Sequence, residues 1–192
     1  MDLKEYIDGC KRTESSKAPL SESTVALGLT NRMLHGIVGI STEMGEISEA
    51  YERSHIDFVN VAEEIGDAFW YTGVLLDELG IDRIDLQSDL EIGCSSIPKT
   101  LISQSADMLD KCKKTMFYGK EYDKDVLADQ VTRFYASLCY FVRSLEEELD
   151  ITKEKVWTIN LNKLKIRYPE KFSLSDAEVR DLSAERVILE RI

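Results

Sequence analysis

The chain has 192 residues, with 43% hydrophobic and 8% aromatic residues, the composition of a folded protein with a real core rather than a disordered one. Its 36 acidic residues against 24 basic ones give a formal charge of −12, which argues against attraction to nucleic acid or to an anionic membrane surface. An anionic small substrate stays open if bound cations mediate the contact.

Read in chain order, residues 2–12 form a short helix. A polar, Ser-rich loop with Pro19 (13–23) follows and offers N-caps to the next helix. From about Thr24 to Arg53 the pattern is helical, with Ile37, Ile40, Met44, Ile47 and Tyr51 recurring on one face. After a break at Ser54–Asp57, a second helix runs from about Phe58 to Leu79. Its stripe is Val61, Ile65, Phe69, Thr72 and Leu76, and Gly80 ends it. Residues 81–97 read as a linker. Helices over about 98–117 and 124–149 come next, then one over 152–167 that stops at Tyr168-Pro169. A charged amphipathic helix over 175–191 completes an all-α reading.

The four cysteines, Cys10, Cys94, Cys112 and Cys139, show no C-x-x-C pairing and read as reduced, packed thiols. The N-terminus lacks an apolar signal core and no apolar run approaches membrane-spanning length, so a soluble, cytoplasmic protein is expected.

The first helix pair recurs. VAEEIGDAFWYTGVLL (61–76) aligns without a gap with LADQVTRFYASLCYFV (127–142), and a gapped register sets Glu43 against Gln104 and Glu46 against Asp107. The expected architecture is a four-helix bundle of two related hairpins, 24–80 and 98–149, with extra N- and C-terminal helices. The second hairpin carries Gln130 and Arg133 where the first has Glu64 and Asp67. An amide and a cation do not replace two anionic oxygen ligands, so only the first hairpin is expected to hold metal.

In that hairpin, Glu43-Met-Gly-Glu46 and Glu64-Ile-Gly-Asp67 each place two carboxylates on one helical face, at the shoulder of the apolar stripe. Gly45 and Gly66 lie inside the pairs and cost roughly 0.5–1 kcal/mol of helix stability each relative to alanine, which close approach of a helix or phosphate would offset. E-x-x-E alone is commonplace on solvated helices. Two such pairs on consecutive helices beside the core favour a hard dication, Mg²⁺ or Mn²⁺, over zinc.

HGIVGISTEMGEISEA (35–50) followed by NVAEEIGDAFWY (60–71) resembles the MazG-like, all-α nucleoside triphosphate pyrophosphohydrolases, whose relatives include dimeric dUTPases. The resemblance implies one such domain over 1–192, with a C-terminal helical tail from 150. It implies Mg²⁺, replaceable by Mn²⁺, on Glu43, Glu46, Glu64 and Asp67. It also implies cleavage of (deoxy)nucleoside triphosphates to monophosphate and pyrophosphate, and a homodimer or higher homo-oligomer in the cytoplasm of a bacterial cell, or a phage protein acting there. KKTMFYGKEYD (113–123) resembles a lysine and FYGK element of such enzymes, which makes Lys113, Lys114, Tyr118 and Lys120 substrate-binding candidates, although here they sit in the second hairpin. NLNKLKIRYPEKF (160–172) resembles a tail in which Asn160, Lys163, Arg167 and Tyr168 would bind phosphates. His35 and Asn60 are candidates for the base or sugar pocket, against a packed histidine and a helix cap as the simpler roles. Glu49 and Glu63 are candidates to orient or deprotonate water, against solvated or ion-paired roles. Arg133 is expected to pair with Asp107 or Asp110 rather than touch substrate, and Phe69 and Trp70 to be core rather than base-stacking residues. Within enzymes the alternative is a narrow dNTP hydrolase, for dUTP or purine dNTPs. Outside enzymes it is a non-catalytic helical nucleotide-binding or interaction module.

Overall fold

A computed structural model describes residues 1–15, 18–52, 56–86 and 97–190. Among them the secondary structure is α-helical, without a strand: α1 (Leu3–Lys11), α2 (Glu22–Ala26), α3 (Asn31–Glu52), α4 (Phe58–Glu78), α5 (Ile97–Tyr118), α6 (Lys124–Leu149), α7 (Lys153–Arg167), α8 (Leu174–Glu178) and α9 (Leu182–Leu189). None of the described helices is long and apolar enough to cross a membrane.

Most helix starts are set by short polar side chains that take up the free N–H groups of the first turn. Asp2 and Glu5 form a reciprocal capping box on α1. The Asp57 carboxylate accepts from the Val59 and Asn60 amides at 3.1 and 3.2 Å, and Asp123 does the same for α6. Asp57 is therefore the α4 cap; Asn60, read as a cap, is the third residue of the helix, in its first turn. At the far end of α4, Gly80 adopts φ +69° and Ile81 N–H bonds back to the Leu76 carbonyl at 2.8 Å, closing the helix.

Two sequence boundaries are corrected. The helix expected from Thr24 is interrupted: Gly28 takes φ +95°, and a side chain there would meet the Tyr122 carbonyl oxygen at 2.9 Å. Leu27 accepts from the Tyr122 amide at 2.7 Å, so this break fastens the start of α3 to the α5–α6 turn. The helix expected over 175–191 is split into α8 and α9, because Asp181 caps a new start through the Ala184 amide at 2.9 Å. The expected break at 54–57 begins outside the described residues. So do the burial expected of Tyr51, most of the 81–97 linker, Cys94 and the last two residues.

α3 packs on α4 and on α5, while α6 closes the square against α4 and α5, which makes a four-helix bundle. α1 and α7 lie over α4, and α9 covers α7. The stripes meet in one core: Ile37, Ile40, Met44 and Ile47 of α3, and Val61, Ile65, Phe69 and Leu76 of α4, are all buried. The register partners on α6, Leu127, Val131, Tyr135 and Val142, are buried too. Trp157 of α7 joins the layers, stacking on Tyr6 at 4.7 Å and meeting Phe69 edge-on at 5.8 Å. Cys10, Cys112 and Cys139 are free thiols, and burial pushes each of their pKa values up.

A carboxylate cluster at the foot of a polar cavity

α3 and α4 run side by side, and Gly36 and Gly39 of α3 give room for Leu75 and Tyr71 of α4. This contact brings the two carboxylate pairs together. Oxygens of Glu43, Glu64 and Asp67 all lie within 4.8 Å of one another. Glu43 and Glu64 are buried, 8% and 7% exposed, and hydrogen-bond each other. Burial raises both pKa values, and their mutual proximity and Asp67 raise that of Glu43 further. Two carboxylates forced together out of water share a proton unless a cation arrives. Glu46 is exposed at the rim of the same cavity.

The donor set is all oxygen, with neither thiol nor imidazole in the cluster, and therefore fits a hard dication. The glycines inside the pairs differ. A side chain at Gly45 would meet nothing within 4 Å, whereas one at Gly66 would sit 3.1 Å from the Asn160 side chain. Gly66 is what lets α7 approach the cluster.

The approach has consequences for α7. Asn160 Nδ2 donates to Asp67 Oδ1 at 2.7 Å. Lys163, with no exposed surface, donates to both Asp67 oxygens at 2.7 and 2.6 Å and reaches Glu63 Oε1 at 3.2 Å. Asn160 is further fixed by the Tyr6 hydroxyl, which lies 3.4 Å from Asn160 Oδ1 and 3.3 Å from the Gly66 carbonyl. Both residues were read as phosphate binders. The structure buries both against Asp67, and neither lines the cavity described below.

Above the cluster lies a cavity of about 470 Å³. Glu43, Glu46, Glu63, Glu64 and Asp67 line it. So do Arg167 and Arg180, and the rings of His35, Trp70, Tyr71, Tyr168 and Phe172. Glu185, 2% exposed, holds Arg167 at 2.6 Å and Arg180 at 2.6 Å. Its pKa is lowered to about 2: burial opposes the shift, and the bonds from Arg167 and Arg180 outweigh it. His35 stands edge-on to Trp70 and Tyr71, at 5.8 and 5.5 Å, and burial lowers its pKa, so the ring is neutral at neutral pH. Trp70 is 7% exposed yet reaches the cavity, and its indole N–H donates to Thr13 at 3.0 Å. Phe69 is core alone.

Other candidates lie elsewhere. Glu49 is exposed and does not line the cavity, and Asn60 also lies outside it. Lys113 and Lys114 both pair with Asp110 on the exposed side of α5, and Tyr118 is solvent-exposed beside them. Lys114 and Lys120 border a separate, smaller cavity at the α5–α6 turn. Within one chain these lysines are not part of the carboxylate cavity. Arg133 pairs with Asp129 one turn away on its own helix, rather than with Asp107 or Asp110. In the second hairpin, Gln104 and Gln130, at the positions of Glu43 and Glu64, each bury a side-chain oxygen that has no partner among the described residues.

Sequence reasoning missed Arg180 and Glu185, which came from a segment read only as a charged helix. It also missed Arg32, which binds Glu14, Asp77 and Glu78 and so holds the 13–15 segment at the cavity edge. Only the excess of Glu over cations in α4 hinted that a remote cation was needed. Comparison with protein-family models, with curated proteins and with solved structures finds no match. The resemblance therefore rests on the motif residues themselves.

Proposed function

We propose that this chain is a magnesium-dependent hydrolase that splits nucleoside triphosphates into monophosphate and pyrophosphate. The observation that carries the reading is the convergence of Glu43, Glu64 and Asp67 within 4.8 Å at a cavity that Arg167 and Arg180 also line. Carboxylates and guanidinium groups lining one cavity suit a polyanion bound through a cation, and neither group alone does.

Glu43, Glu46, Glu64 and Asp67 are the residues that would hold Mg²⁺, or Mn²⁺ in its place. The ion, when bound, supplies positive charge against phosphate oxygens and lowers the pKa of water. The rest falls to the chain. Arg167 and Arg180 face the phosphates, and Glu185 keeps both guanidinium groups on the cavity side. Trp70, Tyr71 and neutral His35, set edge-on to one another, offer aromatic surface to the nucleoside. Glu63, held by Lys163 at the cavity wall, is the carboxylate that would orient water or take its proton.

The test is a panel of NTPs and dNTPs with Mg²⁺, read for pyrophosphate and nucleoside monophosphate, beside Glu64→Gln and Glu46→Ala. Equimolar pyrophosphate and monophosphate, lost in both variants, is the expected result. Orthophosphate with a diphosphate product, or no turnover of any member, would sink the reading.

A further inference from the structure

Lys163 is the single buried cation among the described residues, and nothing in a four-helix bundle requires one. A lysine with no exposed surface is costly unless its charge is matched. Here it is matched twice, by Asp67 through both oxygens and by Glu63. The five acids of the cavity wall thus fall into two groups. Glu63 and Asp67 already own a positive charge. Glu43, Glu46 and Glu64 have no ion pair among the described residues, and the two buried ones hydrogen-bond each other instead.

We propose that the Lys163 ammonium stands where a second dication would otherwise sit, so that the cluster takes one divalent cation per chain. This rests on the metal-dependent reading above and deepens it. The ion would lie on the Glu43–Glu64 side, with Asp67 shared between it and the ammonium. A second ion at Glu63 and Asp67 would have to displace a side chain that has no exposed surface and is bonded to both. Asn160 closes the remaining approach, because it takes Asp67 Oδ1 from the α7 side. A fixed ammonium costs no ion-binding equilibrium, so part of the positive charge at the acids would be present at any metal concentration.

The experiment is Mn²⁺ titration of the metal-free full chain by calorimetry, with the bound ions examined by electron paramagnetic resonance. Ions are counted as those lost in the Glu43→Gln, Glu64→Gln double variant. The wild-type chain is expected to give one ion per chain, without the signature of an exchange-coupled pair. Lys163→Met, which keeps the aliphatic stem, is expected to give two. Two ions in the wild type, or one in a folded Lys163→Met chain, overturns the inference while leaving the metal site standing. No bound ion in the wild type overturns the metal-dependent reading itself. Should Lys163→Met fail to fold, the wild-type count still decides, and Lys163→Arg is expected to keep it at one.

Discussion

Asn160 on α7 donates to Asp67 on α4 at 2.7 Å, across 93 positions of sequence. The bond is possible because Gly66, the residue before Asp67, presents bare backbone to the Asn160 side chain. A carboxylate meant to bind a cation is useful only if its oxygens are aimed, and this amide aims one of them. Asn160→Leu should keep the fold but lower Mn²⁺ affinity about 10-fold or more, as loss of an outer-shell partner does. Calorimetric titration measures it. Unchanged affinity in a folded variant would deny Asn160 this role.

The two motif glycines should respond in opposite ways. At Gly45 a methyl meets open space inside a helix, so Gly45→Ala should stabilise by roughly 0.5–1 kcal/mol. At Gly66 the methyl crowds Asn160 at 3.1 Å, and Gly66→Ala should destabilise by about 1–2 kcal/mol and weaken Mn²⁺ binding. Urea denaturation of both variants checks the signs.

Stability without metal should fall as pH rises. Glu43 and Glu64 have folded-state pKa values raised above the unfolded ones, so the folded state binds more protons there. The associated stability is complete below the ordinary carboxylate range and is lost as pH climbs through about 7 and about 9. A divalent cation bound there would replace the shared proton. The gap between melting temperatures with Mn²⁺ and with EDTA should therefore widen from pH 5 to pH 9. A gap that narrows would contradict the cluster.

Glu185 carries the opposite sign. Its folded pKa, near 2, lies below the unfolded value, so its contribution is present above about 4.5 and disappears as pH falls through about 2. Glu185→Gln should cost roughly 2–3 kcal/mol, less than a wholly buried pair would, because Arg180 is 39% exposed. It should also flatten the acid limb of stability between pH 4.5 and pH 2. Thermal melts over that range decide it.

Most of the bundle was legible because the stripes of α3, α4 and α6 repeat at helical spacing and the caps are short polar residues. The Gly28 break was not, because it depends on Tyr122, which no local pattern connects to Leu27. The carboxylate cluster was legible because E-x-x-E and E-x-x-D fix their own faces. The partners of Asp67 were not: Asn160 and Lys163 sit on a third helix, and whether a polar helical face meets solvent, ligand or another helix is decided by tertiary packing. Arg180 and Glu185 were hidden for the same reason.

Lys163 meets Glu63 across 100 positions of sequence. During synthesis the first hairpin therefore leaves the ribosome long before the ammonium that balances it. Until α7 arrives, the acids of α3 and α4 repel one another, and the nascent hairpin can settle only by taking up protons or cellular cations. Closing of α7 over α4 is then a late event, and the cavity comes into being with it.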